Sequence, residues 1–234
     1  MKKAGIIIFA AALVIGLVVS NMLSFGRATG KFINFSMDFR GVRGSGNATT
    51  EKRDVSGFKA IDVGGVYHVE IMAQKEFSVE VDADDNLLPL IKTEVDGNTL
   101  RIESESRLSP TTPIRIRISA PDIDGLEVSG AANVTVSDLK NSNLSVDSSG
   151  ASKISISGET SKLTVDVSGA TKVDAENLRS DNATIDASGA SKVNVNVTGN
   201  LSADASGASQ IVYTGTPVDV VKKTSGASRI SQKR

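Results

Sequence analysis

The chain predicts an all-β fold: a right-handed parallel β-helix, or β-solenoid, with coils of about 20 residues, preceded by an N-terminal hydrophobic helix. Three observations carry that prediction. The tripeptide Ser-Gly-Ala recurs six times from residue 129 onward. Apolar and polar residues alternate on both sides of each copy. The few large rings are confined to one part of the chain: all seven Phe lie at or before Phe77, Trp is absent, and Tyr213 is the only later aromatic. The last two thirds of the chain therefore cannot build a ring-filled core.

The N-terminus opens with Lys2 and Lys3 ahead of an uncharged apolar run, Ala4 to Val19, which extends more weakly to Phe25. Basic residues followed by an apolar stretch read as the start of an export signal. Ala4–Phe25 is also just long enough to span a bilayer. Residues 1–26 are thus read as a signal peptide, cut after Gly26, or as an uncleaved anchor with Lys2 and Lys3 inside. Either way Arg27 onward lies outside the cytoplasmic membrane, in the periplasm or at the cell surface. Residues 27–53 are read as a juxtamembrane and linker segment. In Lys31–Phe39 the apolar residues fit both a two-residue and a helical period, so no element is assigned. Gly41–Asp54 is Gly-rich and polar and reads as a flexible linker.

Residues 54–234 form the predicted solenoid. The repeat glycines are Gly130, Gly150, Gly169, Gly189, Gly207 and Gly226, and their spacings run 20, 19, 20, 18 and 19. Such a period marks stacked units of supersecondary structure. Counting from each glycine, positions −4, −2, +4 and +6 are mostly apolar. Around Gly169 they are Val165, Val167, Val173 and Ala175. Two short strands joined by a tight bend at the glycine follow. An earlier copy sits at Gly65, with Ile61, Val63, Val69 and Ile71 at the same offsets. Between it and the first Ser-Gly-Ala, three more strands are predicted at Phe77–Val81, Thr99–Glu103 and Ile114–Ala120, with turns at Asp96-Gly-Asn98 and Pro110–Pro113. One unit is too short to bury its own apolar face, so each must stack on the next, with successive coils pairing as parallel strands about 4.8 Å apart. A helical repeat is excluded by the absence of a 3.6-residue period and by the abundance of Val, Ile and Thr. Tyr213 falls at +6, an inward offset, and is expected to mark a wider or frayed coil near the C-terminal end.

The polar offsets define a candidate binding face. Position −3 carries Asp62, Glu127, Asp147, Asp166, Asp186, Asp204 and then Lys223. Position +3 carries His68, Asn133, Lys153, Lys172, Lys192, Gln210 and Arg229. Both point outward by the alternation, and stacking would bring like charges about 5 Å apart. The ordinary account is a solvated face with weak pairs across the bend. Asp147, Lys153, Asp166, Lys172, Asp186, Lys192 and Asp204 are the candidates for binding instead. A calcium column is disfavoured by the lysines and by the absence of the calcium-solenoid nonapeptide. The serines at −1 suit turn hydrogen bonds or recognition of a periodic ligand such as a glycan or ice.

Several functions are argued against. A net charge of −1, from 26 basic and 27 acidic residues, argues against nucleic acid as a partner. No cysteine is present, so thiolate chemistry and disulfides are excluded. The single histidine, His68, sits at a repeat-defined position and cannot build a Ser/His/Asp set. No carboxylate pair stands apart from the repeat, and no catalytic residue, cofactor or metal site is assigned.

The run Gly57–Ile71, continued through Asn86–Leu100 and Leu126–Ala131 into the Ser-Gly-Ala coils, resembles the head GIN domain family of bacterial envelope proteins. The resemblance covers about residues 54–230. It implies a parallel β-helix, export, and a role in adhesion or envelope interaction, with no catalytic residues to transfer. The chain ends at Arg234 without the C-terminal barrel of an autotransporter, which argues against self-secretion. Two functions are carried forward. One is a non-enzymatic exported module for adhesion, binding or scaffolding, with an envelope glycan, a surface protein or a second copy as partner, and with the membrane reached through the N-terminal segment if it is uncleaved. The other is a carbohydrate-active β-helix enzyme acting on envelope polysaccharide.

Overall fold

The computed structural model describes residues 41–233. The predicted N-terminal helix and most of the juxtamembrane segment lie outside these residues. Among the described residues no helix is long and apolar enough to cross a membrane. One compact unit, Arg40–Arg234, contains every described strand.

The strands in chain order are β1 (Val42–Arg43), β2 (Ala48–Arg53), β3 (Ala60–Gly65), β4 (His68–Met72), β5 (Ser78–Asp84), β6 (Ile91–Asp96), β7 (Thr99–Ser104), β8 (Leu108–Ser109) and β9 (Arg115–Ser119). Then come β10 (Gly125–Gly130), β11 (Asn133–Gly150), β12 (Lys153–Val167) and β13 (Lys172–Ala187). The last are β14 (Lys192–Val197), β15 (Asn200–Ala205), β16 (Gln210–Thr214), β17 (Asp219–Thr224) and β18 (Arg229–Gln232). All the strands predicted from sequence are present.

Each bend joins two parallel columns. The column before the bend runs β7, β3, β10, then the second halves of β11, β12 and β13, then β15 and β17. The column after it runs β9, β4, the first halves of β11, β12 and β13, then β14, β16 and β18. β11, β12 and β13 are long because each runs from one bend to the next, with an irregularity partway that starts a third, shorter column. There Lys140 aligns with Glu159, and Glu159 with Arg179.

The alternation explains the core. The +4 column, Val69, Val134, Ile154, Val173, Val193 and Ile211, is buried along its length. Aliphatic side chains fill this bore, and the rings stay at its two ends. Phe58 and Phe77 meet edge to face at 5.0 Å in the amino-terminal part. Tyr213 faces inward beside Val195, only 5% exposed. Past Tyr213 the packing loosens: Lys222 and Thr224, at the inward offsets −4 and −2, are exposed. Lys222 Nζ lies over the Tyr213 ring, 4.7 Å from its centroid, and donates to its hydroxyl at 2.9 Å.

Two readings are corrected. The Gly41–Asp54 segment is not a flexible linker across its length. β1 pairs with β8, and β2 pairs antiparallel with β5 over its whole length. β2 is polar because it is an outer strand, so no buried face imprints an alternation on it. The coils also do not stack in chain order. β7 and β9 stack on the far side of β3 and β4, and β6 and β5 close that end by antiparallel pairing. A parallel stack leaves an open edge, and antiparallel strands reached by short turns cover it.

Candidate binding face along the bend edge

The bend is built from backbone. Gly130, Gly150, Gly169, Gly189, Gly207 and Gly226 have φ between 71° and 114°, the region that disfavours side chains. A second constraint comes from stacking. The carbonyl of each bend glycine accepts the N–H of the Ala one coil further on, at 2.7–3.0 Å from Ala131 to Ala227. A Cβ on each of these six glycines would sit 2.3–2.8 Å from the preceding glycine's carbonyl oxygen. Gly65 starts the ladder, in register with Gly130.

The serines at −1 are exposed or half-buried. The polar side chains that close the corner are at +2 instead: Ser152, Thr171, Ser191, Ser209 and Ser228. Ser209 Oγ donates to the carbonyls of Ser206 and Ala187 at 2.8 and 3.0 Å, and Ser228 Oγ to those of Ser225 and Ala205 at 2.9 and 2.7 Å. These hydroxyls tie neighbouring coils together and satisfy buried acceptors. The signal was present in the sequence, since Ser-Gly-Ala is followed by Ser or Thr in five of its six copies.

The charged candidates form two ladders beside the bend. Asp147, Asp166, Asp186 and Asp204 align coil by coil on one side, and Lys153, Lys172 and Lys192 on the other. All are exposed except the half-buried Asp204. The acidic column begins at Arg101, whose Nε lies 3.2 Å from Asp62 Oδ2, and ends with Lys223 beside Asp204. None of Asp147, Asp166, Asp186, Asp204, Lys153, Lys172 and Lys192 forms an ion pair among the described residues. The compensation across the bend expected from sequence is not formed as direct contacts. Neighbouring like charges at about 5 Å repel by just under about 1 kcal/mol in water, less in salt. Register holds these charges in line against that repulsion.

The amino-terminal cap holds the strongest electrostatics. Burial pushes the Asp82 carboxyl up, but the Thr50 hydroxyl and the Arg117 guanidinium outweigh it and hold Asp82 below the usual carboxylate range. Arg117 Nη1 lies 2.6 Å from Asp82 Oδ2, and Arg117 Nη2 lies 3.2 Å from Glu80 Oε2. Asp84 is fully buried. Burial raises it, yet hydrogen bonds from the Thr111 and Thr112 N–H groups, the Thr112 hydroxyl and the Gly46 N–H bring it below its ordinary value. A hydrogen bond from the Ser45 hydroxyl lowers Asp85 as well. Asp82, Asp84 and Asp85 are therefore all held ionised. Glycoside hydrolysis by an acid–base pair needs the reverse, a carboxyl kept protonated. Among the described residues no three His, Asp or Glu side chains are placed to hold a metal ion.

Fold and edge together define a stacked-coil β protein that presents register-locked polar ladders. More particularly, the chain belongs to the family described as putative auto-transporter adhesin, head GIN domain, whose profile matches residues 57–217. Its structure is similar to that of a putative adhesin from Bacteroides fragilis, with a TM-score of 0.70, 21% identity, and coverage of 82% of this chain and 100% of that one. It is also similar to a putative lipid binding protein from Parabacteroides distasonis (TM-score 0.55, 21% identity, 82% and 99% covered). A putative adhesin from Parabacteroides merdae has a TM-score of 0.50 at 20% identity, with 82% and 99% covered. At such identities the likeness is one of fold. No match was found among curated proteins.

Proposed function

We propose that this chain is a non-enzymatic binding or adhesion module of the bacterial cell envelope, carried outside the cytoplasmic membrane. The observation that carries the reading is the pair of exposed charge ladders, held in register and without ionic partners among the described residues. A row of like charges at a fixed interval suits a partner of repeating opposite charge, such as an envelope polysaccharide or a patterned protein surface. The adhesin description of the family and the apolar segment at residues 4–25 support the reading. The polysaccharide-cleaving alternative has no such support, because the shifted carboxyls move away from proton donation.

The test uses the full chain in lipid nanodiscs, exposed to purified envelope polysaccharide and to envelope protein fractions. One variant replaces Asp147, Asp166, Asp186 and Asp204 by Asn, and another replaces Lys153, Lys172 and Lys192 by Gln. Retention of at least one fraction is expected, weakening as salt rises, with one variant losing at least about tenfold in affinity. Binding by neither the parent nor a variant, or binding that both variants leave unchanged, refutes the proposal.

A further inference from the structure

The first bend departs from all the others. Where later coils read Ser-Gly-Ala followed by a small residue, coil one reads Gly64-Gly65-Val66-Tyr67. The coil stacked outside it has no tight bend at all. Glu103 aligns with Gly64, and Arg115 with His68. Between them the chain makes an excursion, residues 105–113, at the level where other coils turn within a few residues. Insertions at one corner of a solenoid commonly serve binding.

This excursion is clamped. Val42 N–H donates to the Arg107 carbonyl at 2.8 Å and Gly44 N–H to that of Ser109 at 3.0 Å, while the Thr111 hydroxyl donates to the Gly44 carbonyl at 2.9 Å. The loop and the odd bend line a half-open cavity of about 290 Å³. Its walls are mainly apolar, from Val66, Leu108, Pro110 and Ile114. At roughly 30 Å³ for each water-sized group, it holds about ten such groups.

Tyr67 lines the cavity and is only 3% exposed, and its hydroxyl is buried without a hydrogen-bond partner. Ser104 neighbours that hydroxyl without completing a hydrogen bond of good geometry. An orphaned buried hydroxyl is costly unless something arrives to accept from it. Burial raises the phenol above its ordinary value and outweighs the opposing effect of the Ser104 side chain, so it stays protonated and able to donate. Arg107 is exposed on the rim and forms no ion pair among the described residues.

We propose that this cavity binds a short-chain acyl carboxylate. The chain would lie against Val66, Leu108, Pro110 and Ile114, a carboxylate oxygen would accept from the Tyr67 hydroxyl, and Arg107 would supply the countercharge. The site is separate from the charge ladders and stands or falls without them.

Octanoate has ten non-hydrogen atoms and matches the cavity in size. The experiment uses the full chain in lipid nanodiscs with a diazirine-bearing octanoate, photo-crosslinked and mapped by peptide mass spectrometry. Label is expected on residues 66–67 and 104–114, displaced by excess octanoate. Tyr67→Phe keeps the ring and removes the donor, and should weaken labelling about tenfold. Leu108→Trp fills the cavity and should abolish it, while circular dichroism confirms that both variants stay folded. Label that is absent from this loop, or is unchanged in both folded variants, overturns the proposal.

Discussion

A bend glycine is constrained twice, by its own φ and by the coil beside it. Gly169 has φ of 81°, and a Cβ there would lie 2.4 Å from the Gly150 carbonyl oxygen. Left-handed backbone costs a non-glycine residue about 1–2 kcal/mol, and the close approach to backbone adds to this. Gly169→Ala should therefore destabilise the protein by more than about 2 kcal/mol in urea titration; a loss under about 0.5 kcal/mol would show that the bend tolerates a side chain. Asp84 is a different case. It belongs to no repeat, and its donors come from 38, 27 and 28 residues away. Its folded pKa is depressed, so the stability it contributes is present above the unfolded value, about pH 4, and is lost as pH falls through the folded value. Asp84→Asn would turn an amide N–H₂ toward N–H donors. Its thermal midpoint at pH 7 should drop below the parent's, and the gap should narrow toward pH 3; a gap that stays constant with pH contradicts the assignment. The bend glycines were legible because they recur, whereas Asp84 was not because only folding brings its partners together.

At the level of elements, the predicted strands were legible wherever one face is buried, since burial writes a two-residue period into the sequence. Ala48–Arg53 lacks that period, because five of its six residues are exposed. What makes it a strand is β5 alongside, with Thr50 against Asp82 and Lys52 against Glu80. Replacing Ala48–Arg53 by a six-residue Gly/Ser segment tests this. Cross-strand pairs contribute roughly 0.2–1 kcal/mol each, so a loss of about 2 kcal/mol is expected in chemical denaturation. Uncovering the edge of β5 should also promote association, visible by light scattering. A flexible linker would show neither change. The third column was equally hidden. Lys140, Glu159 and Arg179 each stand ten residues before the next bend glycine, but they share no residue type, and their alignment follows irregularities inside β11 and β12.

For the whole molecule, the sequence by itself determined that the chain is a solenoid, where each coil turns, which side chains fill the bore and which charges form ladders. These are properties of a repeat, in which one local rule is applied again at each coil. It also placed Tyr213 inward. Only the tertiary structure decided the order of the coils at the amino-terminal end, the antiparallel cap, and the cavity at the first bend. Those features arise where the repeat is broken, and there the chain folds back on segments far away in sequence. A local period carries no information about such pairings, because they are selected by which open edge and which apolar face remain to be covered once the regular coils have stacked.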